Sequence, residues 1–289
     1  MKGLGFDPDP VNPNMDLRTQ LGRRLRADAF RGNLRCLTSH LEAGADSNFV
    51  DEPGEYTALI LAAHRGHTEV VRALLDVPGI DVDYTDGHGA TALHHACTQG
   101  ELRCAEALLA AGAAPDRART DNGSTPLVNA CDFGHADVVV TLLALGRVDA
   151  EHACHDDETP LSTAAANGWH RCVRAIAPHC DVNRRVCGRS ALHVTRCADT
   201  AAALLLAGAC RFLHNRDGIT PQEAAYGNAA VVAVFDSGID YWHRVRHAKH
   251  GHAMREAVAT LLLVWARVGS LPVEMWLLVC TFVRSADWP

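Results

Sequence analysis

The sequence predicts an all-α fold: a solenoid of helix-turn-helix repeats with short β-hairpin tips, followed by a short helical segment at the C-terminus. Three observations predict it. Hydroxyl residues return every 34 residues as Thr57, Thr91, Thr125 and Thr159, then at spacings of 31 and 30 as Ser190 and Thr220. A second apolar block keeps the same step, with Leu74-Leu75, Leu108-Leu109, Leu142-Leu143 and Leu204-Leu205. Between the two blocks stands a recurring glycine, Gly66, Gly100, Gly134 and Gly168. Self-similarity at a fixed period marks stacked units, none of which can bury its apolar face alone. It also outweighs any single string. "GATALHHACTQG" reads as an active-site candidate, with adjacent histidines and a cysteine, until its copies are laid beside it.

Taken in order, residues 1–20 are polar and proline-rich, have no apolar core of signal-peptide type, and read as a flexible leader. The repeats are expected over 21–236, in about seven copies with the first and last degenerate. The first copy, "RRLRADAFRGNLRCLTSHLEAGADSN", lacks the hydroxyl-proline start but keeps Leu25, Ala29, Gly32 and Leu41, as suits a terminal unit with one side in water. In the copy at 86–119, Asp86 to Gly89 is expected to form a tight tip, with glycine supplying the positive φ. Thr91 then caps the first helix by accepting from free backbone N–H groups. Pro126, Pro160 and Pro221 stand at the first helical position of their copies, where a missing N–H costs little. Gly100 ends the first helix in a left-handed conformation, and "LRCAEALLAAG" forms the second. The copy at Ser190 is three residues short between its apolar blocks, which predicts a shorter inter-helix turn or helices drawn together. The last copy, "DGITPQEAAYGNAAVVAVFDSG", is expected to end the array with a short second helix.

The strings "TALHHA" and "STPLVNA" within this period resemble ankyrin repeats, and the resemblance covers 21–236. It implies a structural task for His94 and His193, whose imidazoles bridge the hydroxyl residue and neighbouring backbone. It also implies a non-enzymatic module that holds a protein target in a groove, with binding residues just before the hydroxyl residue and just before the helix-ending glycine. Carried over, these are Tyr56, His64, Arg65, His88, Ala90, Thr98 and Gln99, then Asn122, Ser124, Asp132, Phe133, Glu158 and Asn167. Tyr56 and Phe133 are the expected exposed aromatic anchors. The groove is mixed in charge and names no ligand class beyond a protein.

After 236 the period stops. Residues 237–252 form a connector whose His243, His247, His250 and His252 read either as a metal site or as part of a solvated basic stretch. No cysteine or carboxylate pair completes a ligand set, so neither metal nor cofactor is expected. Residues 253–289 hold two apolar helices, broken at Gly269 and Ser270. Ser270 can cap the second, with Pro272 in its first turn and Glu274 near its positive end. A helix apolar all round must be covered. "LPVEMWLLVCTFV" resembles the first helix of F-box motifs, placing Leu271, Pro272, Glu274, Trp276 and Phe282 at partner-binding positions. "TLLLVWARV" with "LPVEMWLLV" is also similar to a SOCS box, although Trp265 stands where that box has cysteine. Both resemblances imply a substrate-recruiting adaptor of a cullin-type ubiquitin ligase, the repeats holding the target and the tail the ligase machinery. The alternative is a scaffold or inhibitor whose tail caps the stack.

Composition narrows the classes further. The net charge of −7 comes without a basic stripe, which argues against nucleic acid. The longest apolar run, "AVATLLLVWA", stops at Arg267, short of the roughly 18 residues a membrane span needs. Eleven cysteines, an odd number, recur at helix positions, with Cys97 and Cys131 in one register. That usage suits a reducing compartment, so the protein is expected to be cytoplasmic or nuclear. "GHGATA" nearly matches a dinucleotide fingerprint but lacks a preceding strand.

Overall fold

The computed structural model describes residues 16–51, 55–225 and 227–236. Within them the chain forms seven helix pairs: α1 (Leu17–Arg31) with α2 (Leu34–Glu42), α3 (Ala58–His64) with α4 (Thr68–Leu75), α5 (Ala92–Gln99) with α6 (Leu102–Ala110), and α7 (Pro126–Asp132) with α8 (Ala136–Ala144). The series continues with α9 (Pro160–Ala166) and α10 (His170–Ile176), α11 (Ala191–Val194) and α12 (Ala198–Leu206), and α13 (Pro221–Ala224) and α14 (Ala229–Asp236). A single 3-10 turn, Ala177–His179, follows α10. The helices stack in two rows: α3, α5, α7, α9, α11 and α13 pack successively on one another, and α4, α6, α8, α10, α12 and α14 do the same behind them. The core is shared between units. Leu59, Leu93, Leu127, Leu161 and Leu192 are buried in the first row, and Leu74, Leu108, Leu142 and Leu204 in the second.

The hydroxyl series starts the first-row helices. Thr57, Thr91, Thr125, Thr159 and Thr220 each accept, through the side chain, the backbone N–H three residues on, at 3.2–3.4 Å. A cap of this kind contributes about 1 kcal/mol. α1 starts at Leu17, where the carboxylate of Asp16 accepts the Thr19 N–H at 2.9 Å, so the first helix takes in residues 17–20 of the expected leader. Asn and Asp side chains tie each unit to the next: Asn48 accepts from Asp81 N–H, Asp83 from Ala114, Asp116 from Asp149 and Asn183 from Cys210, at 2.7–3.0 Å.

The helix-ending glycines form the second joint. The residue that follows the glycine in one unit lies over the glycine of the unit before it: His67 over Gly32, Glu101 over Gly66, His135 over Gly100 and Trp169 over Gly134. Three of these also donate to the carbonyl two residues before that glycine, His67 to Phe30 and His135 to Thr98 at 3.1 Å, and Trp169 to Asp132 at 2.9 Å. A carbonyl only accepts, so Nε2 of both histidines carries the proton.

Three expectations are corrected in detail. Among the described residues the tips are turns rather than strands, with one isolated antiparallel bridge, Val186 to Arg189, closed by Cys187 (φ 50°) and Gly188 (φ 81°). The copy at Ser190 does not shorten its inter-helix link, which keeps three residues (195–197), as at 133–135. The loss falls on α11, a single turn of four residues. The link must still reverse the chain, whereas a helix can give up a turn without moving its partner out of register. In the last copy the short helix is the first, α13 with four residues, while α14 runs for eight.

Candidate partner-binding surface

The structure sorts the expected groove residues into internal and exposed groups. Tyr56 belongs to the first. It is only 8% exposed, its ring edge-on to His95 at 6.0 Å, so it is not the exposed anchor the sequence suggested. The reason lies one unit on, where α5 brings His95 against it. Burial, then the Asp86 charge, raises the Tyr56 phenol. His64 meets the same imidazole at 5.5 Å, and Gln99 donates its amide to His64 Nδ1 at 3.5 Å. Burial first, then His95, holds His64 down at about 4, so it is neutral at physiological pH. His95 in turn bonds Asp86 at 2.9 Å, and Asp86 also accepts the N–H groups of His88 and Ala90. Burial of Asp86 opposes its ionisation, but the His95 and Ala90 hydrogen bonds prevail and leave the carboxyl below its ordinary value.

Other expected contacts are also committed internally. Thr98 donates to the His94 carbonyl at 2.8 Å and accepts from Asn129 at 3.1 Å. Ser124 and Ala90 are buried. The Ser124 carbonyl accepts from His94 Nε2 at 3.2 Å, while His94 Nδ1 accepts the Thr91 N–H at 3.1 Å. This fixes the tautomer and gives His94 the bridging task expected of it. Burial pushes its imidazole down to about 4.

Arg65, His88, Asn122, Asp132, Phe133, Glu158 and Asn167 are exposed. The Arg65 guanidinium lies 4.8 Å over the ring of Phe30, and His88 stands 3.6 Å from Asp121. Asn122 accepts the Ser124 N–H with its side chain. Three of the seven converge where the links of the fourth and fifth units meet. Asn167 donates to Asp132 Oδ1 at 2.9 Å and to its carbonyl at 3.2 Å. Phe133, 45% exposed, lies parallel to His135 at 6.5 Å. Trp169 joins them, 41% exposed, with one face on Gly134 and its N–H on the Asp132 carbonyl. The sequence reading missed Trp169 because it looked before each helix-ending glycine, not after. The run His67, Glu101, His135, Trp169 was the signal, since only its last member is an indole.

Such an arrangement can grip an apolar side chain, because both rings are fixed from behind and need little ordering on binding. Among the described residues no three metal-type side chains gather. A cleft lined by Thr159, Cys180 and Arg184 admits about one water molecule. No described helix is long and apolar enough to cross a membrane. Leu271, Pro272, Glu274, Trp276 and Phe282, like the connector histidines, lie outside the described residues.

Comparison with known proteins agrees with this architecture. The family model "Ankyrin repeats (3 copies)" matches residues 25–119, 77–153, 111–186 and 127–211. The chain is similar to the ankyrin repeat and KH domain-containing protein mask-1 of Caenorhabditis elegans, 42% identical over 97 residues, which is 33% of this chain and 4% of that protein. It is 41% identical over 92 residues to the probable E3 ubiquitin-protein ligase XBOS33 of Oryza sativa subsp. japonica, covering 31% of this chain and 17% of the relative. The chain thus spans a small part of the length of these relatives. Among solved structures, the human ASB11 ankyrin repeat domain superposes with a TM-score of 0.66 at 25% identity, over 73% of this chain and 96% of that one. Period, caps, glycine joints and family match all lead to one conclusion: the chain belongs to the ankyrin-repeat family.

Proposed function

We propose that this array, an interaction module by its family, recruits a protein target through the surface around Phe133 and Trp169 and delivers it to a cullin-type ubiquitin ligase. The observation that carries the binding half is the pair of exposed rings, braced by Gly134, His135 and the Asp132 carbonyl. Arg65, His88, Asn122, Glu158 and Asn167 extend that surface. The ligase half is supported by the F-box-like "LPVEMWLLVCTFV" and by the name of the rice relative, which is similar over 92 residues. The ten described cysteines are free thiols, which supports a reducing location, cytoplasm or nucleus.

The test is an affinity capture from a eukaryotic lysate with the full chain, compared with Trp276→Ala/Phe282→Ala and with Phe133→Ala/Trp169→Ala. The tail variant is expected to lose the F-box-binding ligase adaptor or the elongins while keeping the target, and the groove variant the reverse. If the full chain recovers neither ligase component, and the tail variant only lowers its stability, the tail is a cap and the scaffold reading replaces the adaptor.

A further inference from the structure

Three consecutive tips precede the fifth, sixth and seventh units, at 154–158, 186–189 and 215–219, and their charges are unevenly divided. The first carries Asp156, Asp157 and Glu158, all exposed. The next two carry exposed Arg189 and Arg216, with exposed Arg185 immediately before the first of them and one exposed carboxylate, Asp217, beside Arg216. The tips touch: Cys187 Sγ donates to Asp157 Oδ2 at 3.4 Å, Arg185 donates to the His214 carbonyl at 3.3 Å, and the Arg216 stem lies across Gly188. Elsewhere in the stack charged groups near the tips neutralise each other, as Arg119 does with Asp121 and Arg184 with Glu151. None of Asp156, Asp157, Glu158, Arg185, Arg189 and Arg216 forms an ion pair among the described residues. The division extends through the repeats. Residues 120–168 hold eight carboxylates and one arginine, whereas 169–225 hold eight arginines and four carboxylates.

The acidic tip also departs in backbone from four of its copies, as does Glu55 (φ 53°) before Thr57. Asp157 has φ 59°, at the position two before the hydroxyl residue where the tips at 89, 123, 188 and 218 place glycine. An L-residue is strained there, and such strain is concentrated at binding sites.

We infer that these tips form a bipolar docking strip for a mixed-charge peptide segment of a protein partner, its basic residues on Asp156, Asp157 and Glu158 and its acidic residues on Arg185, Arg189 and Arg216. Guanidinium forks suit carboxylates because two N–H groups can donate in parallel. A nucleic acid strand fits poorly, since a uniform polyanion crossing the arginines would run onto the three carboxylates of the adjoining tip, a like-charge contact. A uniformly acidic peptide meets the same repulsion. The order of charges, rather than net charge, is what the strip selects, and like-charge contacts reject the wrong order.

This inference rests on the protein-binding reading above and deepens it. The test is fluorescence anisotropy of the full chain with two synthetic peptides of identical composition. One carries a lysine block, a Gly-Ser spacer and a glutamate block, and the other alternates the charges. A single-stranded oligonucleotide is the third probe. The block peptide is expected to bind about tenfold tighter than the alternating one, with the advantage falling as salt rises. The triple variant R185E/R189E/R216E should remove that advantage, whereas R103E, a reversal at another exposed arginine, should keep it. Unchanged circular dichroism would confirm that the variants fold. Equal binding of the two peptides overturns the inference, as does an oligonucleotide that binds more tightly than either and is lost in the triple variant. Self-association abolished by the same variant also overturns it, because a second copy would then occupy the strip. A target captured through Phe133 and Trp169 without discrimination between the peptides would sink this inference alone.

Discussion

Replacing Gly134 by alanine tests the joint that repeats through the stack. Gly134 has φ 79°, and a Cβ built on it would lie 2.5 Å from Trp169 Cδ2 and 2.8 Å from Cε2, inside the contact distance of any real carbon pair. The indole cannot yield freely, because its N–H is held by the Asp132 carbonyl at 2.9 Å. Two losses follow. A left-handed L-residue costs about 1–2 kcal/mol. Displacing the indole gives up a hydrogen bond worth about 1 kcal/mol, together with the packing of its face. Alanine regains about 0.5 kcal/mol by restricting the unfolded chain. The expected net loss is therefore about 2–3 kcal/mol. Gly146 supplies the control, since it has φ 62° and nothing within 4 Å of its Cβ position. Gly146→Ala should lose only the backbone part, about 1 kcal/mol. Urea denaturation of the full chain followed by far-ultraviolet circular dichroism measures both. Gly134→Ala should also cost less in a Trp169→Ala background. Equal losses for the two alanines, or no relief from Trp169→Ala, would refute the claim that this ring closes the joint.

Four further outcomes are expected. His94 is held down at about 4 by burial against an ordinary 6.5, so between those values the unfolded chain binds the extra proton; stability is complete above pH 6.5 and falls by up to about 3 kcal/mol toward pH 4, a slope that His94→Gln should flatten in urea titrations. Phe133→Ala should leave the denaturation midpoint within about 0.5 kcal/mol yet weaken target binding by more than about 1 kcal/mol, and a calorimetric affinity unchanged by the substitution would remove Phe133 from the interface. Burial pushes the thiols of Cys97 and Cys131 up, so native alkylation followed by mass spectrometry should label exposed Cys36, Cys187 and Cys210 and leave those two untouched. Asp157→Gly should raise stability by about 1 kcal/mol by relieving the left-handed backbone, while weakening the lysine–glutamate block peptide; a destabilised variant would show that the aspartate is not strained.

What the sequence disclosed follows the range of the physics. A threonine that caps a helix three residues on acts within one turn, so Thr91 could be read from a short string, and the task of His94 followed from that string's resemblance to ankyrin repeats. The period itself announced the fold, because a unit with one apolar face cannot stand alone. Contacts to the next unit were less legible. Tyr56 stands beside a capping threonine and was expected to be exposed, yet its environment is set by His95, 39 residues away. The short copy at Ser190 shows a different limit. A deletion in a sequence has no address until packing assigns it, and here the inter-helix link kept its length because it must turn the chain, leaving α11 to absorb the loss.

In a stack built from one pattern, the positions that repeat describe the scaffold, and the positions that break the pattern describe this particular chain. The residue over each glycine shows how. His67 and His135 fill that place and close their joints with a donated proton, as any family member could. Glu101 fills it without a donor to offer the carbonyl, and Trp169 fills it with far more apolar surface than the joint uses, leaving 41% of that residue exposed beside Phe133. The same holds at the tips. Glycine is the residue the left-handed position favours, yet Asp157 holds it, its carboxylate accepting from Cys187 of the next tip. Neither excess is explained by stability, which a histidine and a glycine would serve as well or better. Surface that a repeat retains beyond what stacking requires is surface available to a partner. On that reasoning the partner surface proposed above lies in the fourth to seventh units, where Trp169 and Asp157 exceed what stacking needs.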